Sequence, residues 1–262
     1  MKILKNKTAY IVFLMALCIL YGAFSSSCYA KKNKSTVEYT YTAKDGLNMV
    51  GMLYVPKEAS TKNRVPLVIL LHSLGKNKSD WYELPEKIKS LNFAVLNLDL
   101  RGHGASINKQ NGKKKYWQNF KNIEFAKYPQ DINDALAALK KDYPEINTGR
   151  TGLVGANIGA NAAVIAASKN NKDIKTMVLI SPYSSIKGLN ALIPMVNYGV
   201  HPVLFIVSTP DRISYYDTTE LIKYAQGKKV LKTYPDGGNG TSLIRFKPDS
   251  KDIILSWLKT NI

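Results

Sequence analysis

Gly152-Leu153-Val154-Gly155-Ala156-Asn157-Ile158-Gly159-Ala160-Asn161-Ala162-Ala163 decides how this chain folds. It reads as a short apolar strand, a tight turn between two glycines and then an alanine-rich helix. Small residues at Gly155, Ala156, Gly159 and Ala160 let strand and helix approach closely around one residue held on a strained turn. That is the layout of the Gly-x-Ser-x-Gly elbow, which lifts a serine oxygen above the end of a parallel sheet. Here its centre is Asn157. A carboxamide has no proton to lose near neutral pH and no useful nucleophilic lone pair. The frame is present and the reactive atom is missing.

Outward from the elbow, strands and helices alternate. Residues 37–42 and 47–55 alternate apolar and polar side chains around Asp45-Gly46, which predicts an antiparallel hairpin. The continuous apolar runs at 66–72, 93–98, 174–180 and 202–208 read as strands buried on both faces, and 229–234 as the last strand. Ser79 is a candidate helix cap ahead of Trp81, Leu84, Ile88 and Leu91 at helical spacing. A polar, Gly- and Lys-rich stretch from 99 to 128 precedes a helix starting near Pro129, with Ile132, Leu136, Ala137 and Leu139 on its apolar face. Further helices are predicted at 186–196, 216–225 and 250–259. A hairpin followed by this alternation implies an α/β fold with a mostly parallel central sheet and helices on both faces.

The chain of 262 residues carries a net charge of +18, with lysines spread along its length. A scattered excess reads as a solvated surface; a nucleic-acid footprint would cluster on one face. The one cluster with aromatics, Gly112-Lys113-Lys114-Lys115-Tyr116-Trp117, reads as a loop with a basic tip. No specific nucleic acid is expected, only weak association with anionic envelope polymers. Residues 1–30 carry the three regions of a secretory leader: Lys2, Lys5 and Lys7, then an uncharged run over 9–24, then Ser25 to Ser27. Two endings are open. Cleavage after Ala30 fits the small-residue rule, and Ser26-Ser27-Cys28 resembles a loose lipobox that would lipidate Cys28; an uncleaved anchor is a third outcome. Residues 31–36 form a polar tether, leaving 37–262 as one domain, exported to a periplasmic or extracellular location and reaching a membrane only through the leader or a lipid anchor. The two cysteines, Cys18 and Cys28, both lie in the leader, so the domain itself has no internal disulfide. Neither metal-ligand spacing nor a phosphate-binding glycine loop is present, and no metal or cofactor is expected.

Several motifs, in order, resemble the α/β-hydrolase superfamily, and within it the small lidless members like dienelactone hydrolase. Leu71-His72-Ser73-Leu74-Gly75 resembles the loop after the third strand that carries half of the oxyanion hole. Asp99-Leu100-Arg101-Gly102-His103-Gly104-Ala105-Ser106 is similar to the family's Asp-x-Arg-Gly-His-Gly-x-Ser turn. Ser208-Thr209-Pro210-Asp211 stands where the acid of the triad belongs, and Tyr234-Pro235-Asp236-Gly237-Gly238-Asn239-Gly240-Thr241 resembles the Gly-His-Gly loop. The resemblance implies an α/β-hydrolase fold whose triad positions are Asn157, Asp211 and Asn239, with backbone donors at Ile158 and at Ser73 or Leu74.

A serine triad needs a hydroxyl to attack, an imidazole to take its proton and a carboxylate to orient the imidazole. Two of these positions hold asparagine here, and removing triad members lowers turnover by roughly 10⁴ to 10⁶. His72 and His103 fall where the family uses a ring for structure, and His201 precedes a strand at the far end. The expectation is a catalytically silent hydrolase relative whose cleft retains neutral hydrogen-bonding groups, Asn157 and Asn239 among them, for a small carbonyl- or carboxylate-bearing ligand. Two alternatives stand beside it: an active hydrolase of small esters or lactones with an unidentified nucleophile, and a basic surface interaction protein.

Overall fold

A computed structural model describes residues 35–262. The leader at 1–30 with Cys28, and the tether up to residue 34, lie outside the described residues.

Strands β1 (Thr36–Thr42) and β2 (Asn48–Tyr54) pair antiparallel around a turn in which Gly46 takes a φ of +78°. Next come β3 (Val65–Leu71), helix α1 (Leu84–Lys89), β4 (Ala94–Leu98) and the short α2 (Asn122–Phe125). Helix α3 (Tyr128–Asp142) leads into β5 (Ile146–Ala156), α4 (Ile158–Lys169) and β6 (Ile174–Ile180). A small hairpin, β7 (Ser185–Ile186) and β8 (Leu189–Asn190), precedes α5 (Leu192–Tyr198) and β9 (Val203–Ser208). The chain ends with α6 (Arg212–Leu221), β10 (Lys229–Tyr234), α7 (Thr241–Phe246) and α8 (Asp249–Asn261).

Eight strands form one sheet in the order β1-β2-β4-β3-β5-β6-β9-β10. The β1–β2 and β2–β4 pairs are antiparallel and every other neighbour pair is parallel. The unbroken apolar runs follow from cover on both faces. Leu67, Ile69 and Leu71 of β3 join Ile132 and Leu139 of α3 and Ala160 and Ala163 of α4 on one side. The alternate residues Val68 and Leu70 pack with Leu84 and Ile88 of α1 and Ile254, Trp257 and Leu258 of α8 on the other.

The helix expected at 216–225 runs instead over Arg212–Leu221, and the stretch read as polar loop at 99–128 contains α2. Three further segments differ from the sequence expectation. Ser79 does not cap a continuous helix. Asn77 caps instead, its Oδ1 accepting from Ser79 N at 2.9 Å, and the turn Lys78–Trp81 ends at Tyr82, whose φ is +51°. Pro85, with no N–H to give, then sits in the first turn of a separate helix. The helix predicted at 186–196 starts late, because Lys187 and Gly188 both take positive φ and fold 185–190 into a hairpin. The glycine-rich loop after β10 passes directly into α7, which the apolar pattern did not reveal.

Candidate active site

The elbow is built as its small residues require. A Cβ on Gly155 would come within 2.5 Å of the Gly159 carbonyl oxygen, and one on Gly159 within 2.3 Å of the Leu71 oxygen. Strand β5 and helix α4 therefore meet at backbone distance. Asn157 sits between them with φ +54° and ψ −121°, a conformation that costs a non-glycine residue roughly 1–3 kcal/mol. Its backbone is held by the N–H bond to Ile180 O at 2.8 Å.

The three degenerate positions come together. Asn157 Nδ2 donates to Asn239 Oδ1 at 2.8 Å, and Asn239 Nδ2 donates to Asp211 Oδ2. At the other end Asn157 Oδ1 accepts the backbone N–H of Ile158 at 2.8 Å. The orientation of both carboxamides is fixed by these termini. Ile158 can only donate, so it faces Asn157 Oδ1; the Asp211 carboxylate can only accept, so it faces Asn239 Nδ2. The Ile158 donor, expected to face a ligand, is thus engaged by the side chain of the residue before it.

Two residues that the sequence reading passed over complete the cluster. The Tyr183 hydroxyl oxygen accepts from Asn239 Nδ2 at 3.1 Å and, more weakly, from Asn157 Nδ2 at 3.4 Å. Its own proton has no protein acceptor among the described residues. Burial first, and then the Asp211 charge, push its phenol pKa upward, which keeps that proton in place. Asn161, one helical turn beyond Asn157 and fully buried, positions Tyr183: its Nδ2 donates to Tyr183 O at 2.8 Å and its Oδ1 accepts from Tyr183 N at 3.0 Å. The i to i+4 spacing of two asparagines on an otherwise apolar helix was the available signal.

The loop carrying Asn239 is clamped by three serine hydroxyls from three strand ends. Ser208 Oγ donates to Gly238 O at 2.8 Å, Ser181 Oγ accepts from Gly240 N at 3.0 Å, and Ser73 Oγ accepts from Thr241 N at 3.0 Å. Ser181 holds its place with a φ of +48°. The Ser73 hydroxyl therefore serves the Asn239 loop, and its contact with Thr241 Oγ1 at 3.4 Å is the nearest side-chain partner. Leu74 follows Ser73 in the same loop.

No imidazole reaches this cluster. The His72 Nε2 accepts from Leu100 N at 2.9 Å, so its Nδ1–H is the donor to Ser73 O at 2.8 Å. His103 does the same between Gly75 N, at 3.1 Å, and Arg101 O, at 3.0 Å, and stacks on Trp117. Burial pushes the His72 pKa down to about 3, with His103 beside it, and lowers that of His103 as well. Both rings are neutral struts with both nitrogens in use. His201 lies just before β9, beside Tyr198. Asp99 is a turn carboxylate: it accepts from Lys78 N, Lys78 Nζ and Ala105 N at 2.8, 2.6 and 2.9 Å. Arg101, in the same turn, makes a two-pronged contact with Asp131 and reaches Asp45 at 2.7 Å.

A family model described as serine aminopeptidase, S33 matches residues 62–200. The uncharacterized protein YfhR of Salmonella typhi is 23% identical over 97% of this chain and 95% of its own length. The monoglyceride lipase of Rattus norvegicus is 24% identical over 63% of this chain, which spans 54% of that protein. Among solved structures, a dienelactone hydrolase from Anabaena variabilis superposes with a TM-score of 0.66 at 16% identity, covering 87% of this chain and all of that one.

Proposed function

Because this chain belongs to the serine aminopeptidase S33 family of α/β-hydrolases, we propose that it is a member without catalytic turnover. In this reading it is an exported protein whose cleft holds a small carbonyl- or carboxylate-bearing molecule and does not cleave it. The observation that carries the proposal is the continuous string Asp211–Asn239–Asn157–Ile158. It reproduces the connections of a triad with groups that neither attack nor shuttle protons.

The same string says how a ligand would be held. A carbonyl seeking the Ile158 N–H competes with the Asn157 carboxamide, which is already in place at 2.8 Å. The uncommitted donor is the Tyr183 hydroxyl proton, beside the two carboxamides. A ligand acceptor meeting Tyr183 exchanges one water hydrogen bond for one protein hydrogen bond, so that bond alone gives little net affinity.

The competing reading, an active hydrolase with another nucleophile, finds no support in the serines near the site. Ser73 and Ser181 accept from backbone N–H groups, and Ser214 is buried on α6 against Asp211. The test is incubation of the purified protein with short-chain aryl esters and with a fluorophosphonate probe. We expect neither saturable turnover nor labelling; stoichiometric labelling or saturable turnover would overturn the proposal. A thermal-shift panel of small carboxylates and lactones reads binding, and Tyr183→Phe should abolish any stabilisation it detects.

A further inference from the structure

The loops that carry the cleft residues all leave the C-terminal edge of the parallel strands, and that edge also exposes large apolar side chains. Ile213 is 70% exposed, Tyr216 66% and Phe246 61%. Ile213 follows Asp211 by two residues, and Tyr216, three further on, shares its face of α6. Phe246 closes α7 and comes within 4.0 Å of the place a Cβ would occupy on Gly238, the residue before Asn239. On the same edge, α2 presents Ile123, also 70% exposed, beside the β7–β8 turn, where Asn122 packs against Gly188.

Single exposed apolar residues are ordinary on a soluble protein. Val200, 77% exposed, lies at the opposite end just before β9, so the distinction rests on what adjoins these four. Arg212 adjoins Ile213, Arg245 adjoins Phe246 with its guanidinium 5.7 Å from that ring, Lys121 precedes α2, and Lys187 tips the β7–β8 turn. All four cations are exposed, and among the described residues none has an ion-pair partner. Unpaired cations occur elsewhere among the described residues too, Lys140, Lys169 and Lys172 among them, and on this edge Lys247 pairs with Asp236. What marks the rim is a free cation directly beside an exposed apolar tip.

We propose that this rim docks the protein on an anionic lipid bilayer, with the strand ends that carry Asn157 and Asn239 turned to the membrane. The isoleucines and Phe246 enter the boundary between headgroups and acyl chains, and the neighbouring cations meet lipid phosphates. A net charge of +18 adds attraction at longer range. A soluble polyanion would satisfy the cations and leave the apolar tips in water, so the combination favours a lipid surface. The inference involves none of the cluster around Asn157 and stands or falls separately from the question of turnover.

The test uses the full chain with Cys18→Ser and Cys28→Ser, carrying a polarity-sensitive fluorophore on Ile213→Cys, on Phe246→Cys or, as a control, on Lys172→Cys. Lys172 is exposed in the turn before β6, at the opposite end of the strands. The proteins are titrated with vesicles of equimolar phosphatidylcholine and phosphatidylglycerol, and with phosphatidylcholine alone. We expect a blue shift and loss of iodide quenching at 213 and 246 on the anionic vesicles, with no change at 172. Arg212→Gln and Arg245→Gln should each weaken that partitioning about fivefold. An equal response at 172, which would mean binding in no fixed orientation, overturns the proposal. So does an equal response to phosphatidylcholine alone, no response at 213 and 246, or the same shift on adding soluble polyglutamate without vesicles.

Discussion

Asn239 stands between Asp211 and Asn157 with the donor–acceptor polarity an imidazole would have, its Nδ2 donating to Asp211 Oδ2 and its Oδ1 accepting from Asn157 Nδ2 at 2.8 Å. A carboxamide can imitate the two faces of a neutral histidine in hydrogen bonding, but it cannot carry the proton away. The pair explains how this chain keeps the architecture of a catalytic site with no buried polar group of the string left unmatched.

Restoring both positions should therefore restore chemistry. Asn157→Ser with Asn239→His is expected to raise hydrolysis of p-nitrophenyl acetate over the parent by on the order of 10³, part of what a working triad supplies. Either change alone should leave the rate at the parent's level, since triad members act as a unit. Initial rates of the three variants decide it. A double variant as slow as the parent would mean that the acyl-binding parts of the site have drifted too.

The loop around Asn239 should tolerate little change, and two glycines separate the reasons. At Gly240 φ is +56° and a Cβ would lie 2.2 Å from Ser73 Oγ, the hydroxyl that serves Thr241 N. At Gly112 φ is +78° and nothing lies within 4 Å. Gly112→Ala then reports backbone strain alone, about 1 kcal/mol. Gly240→Ala adds a clash and a disturbed buried hydrogen bond, for a further loss of about 1–3 kcal/mol. Urea midpoints of the two variants give the difference, and equal midpoints would remove Ser73 from its clamping role.

Much of this arrangement was legible before the structure. The elbow could be read because close approach of strand and helix demands Gly155 and Gly159, and few other uses put glycines there. The parallel strands could be read because cover on both faces leaves no polar residue in β3 or β6 beyond Lys175 and Thr176. The segment at 186–196 misled because Leu189, Leu192, Ile193 and Val196 are spaced as on a helix, whereas Lys187 and Gly188 take positive φ and turn the chain beside Asn122. Tyr183 was invisible for a related reason. Its place over the asparagines depends on Asn161, a partner 22 residues away, and no local pattern encodes that pairing.

Arg101 should matter for stability rather than for the site. Its guanidinium contacts both oxygens of the buried Asp131 and reaches Asp45, which Lys127 also contacts at 2.8 Å. Arg101→Met strands the Asp131 carboxylate among apolar neighbours, with an expected loss of about 3–5 kcal/mol. Arg101→Lys should recover less than half of that, because a single ammonium cannot span Asp131 bidentately and hold Asp45 as well. Adding Asp131→Asn to Arg101→Met should return part of the stability, and denaturant titrations of the three variants read the coupling. Simple additivity of the two changes would show that the pair does not act as one unit.

The two histidine struts predict how the fold responds to acid. His72 is fully buried, with Leu100 N–H donating to Nε2 and Nδ1 donating to Ser73 O, and burial holds its pKa near 3 against an ordinary value of about 6.5. Above pH 6.5 the ring is neutral in both folded and unfolded chains and its contribution is complete. Between about 6.5 and 3 the unfolded chain takes up a proton that the folded one refuses. Stability then falls by about 1.4 kcal/mol per pH unit for that proton, and His103, shifted in the same direction, steepens the slope. Burial raises the Asp131 carboxyl to about 6, and its proton, taken up first by the folded chain, opposes this slope below pH 6. The histidine contribution is therefore read as the difference between parent and variant urea midpoints from pH 7 down to pH 4. His72→Leu should start lower at neutral pH, having lost the Leu100 and Ser73 contacts, yet decline less steeply by one proton's worth. An acid limb parallel to the parent's would show that some other group sets the pH response.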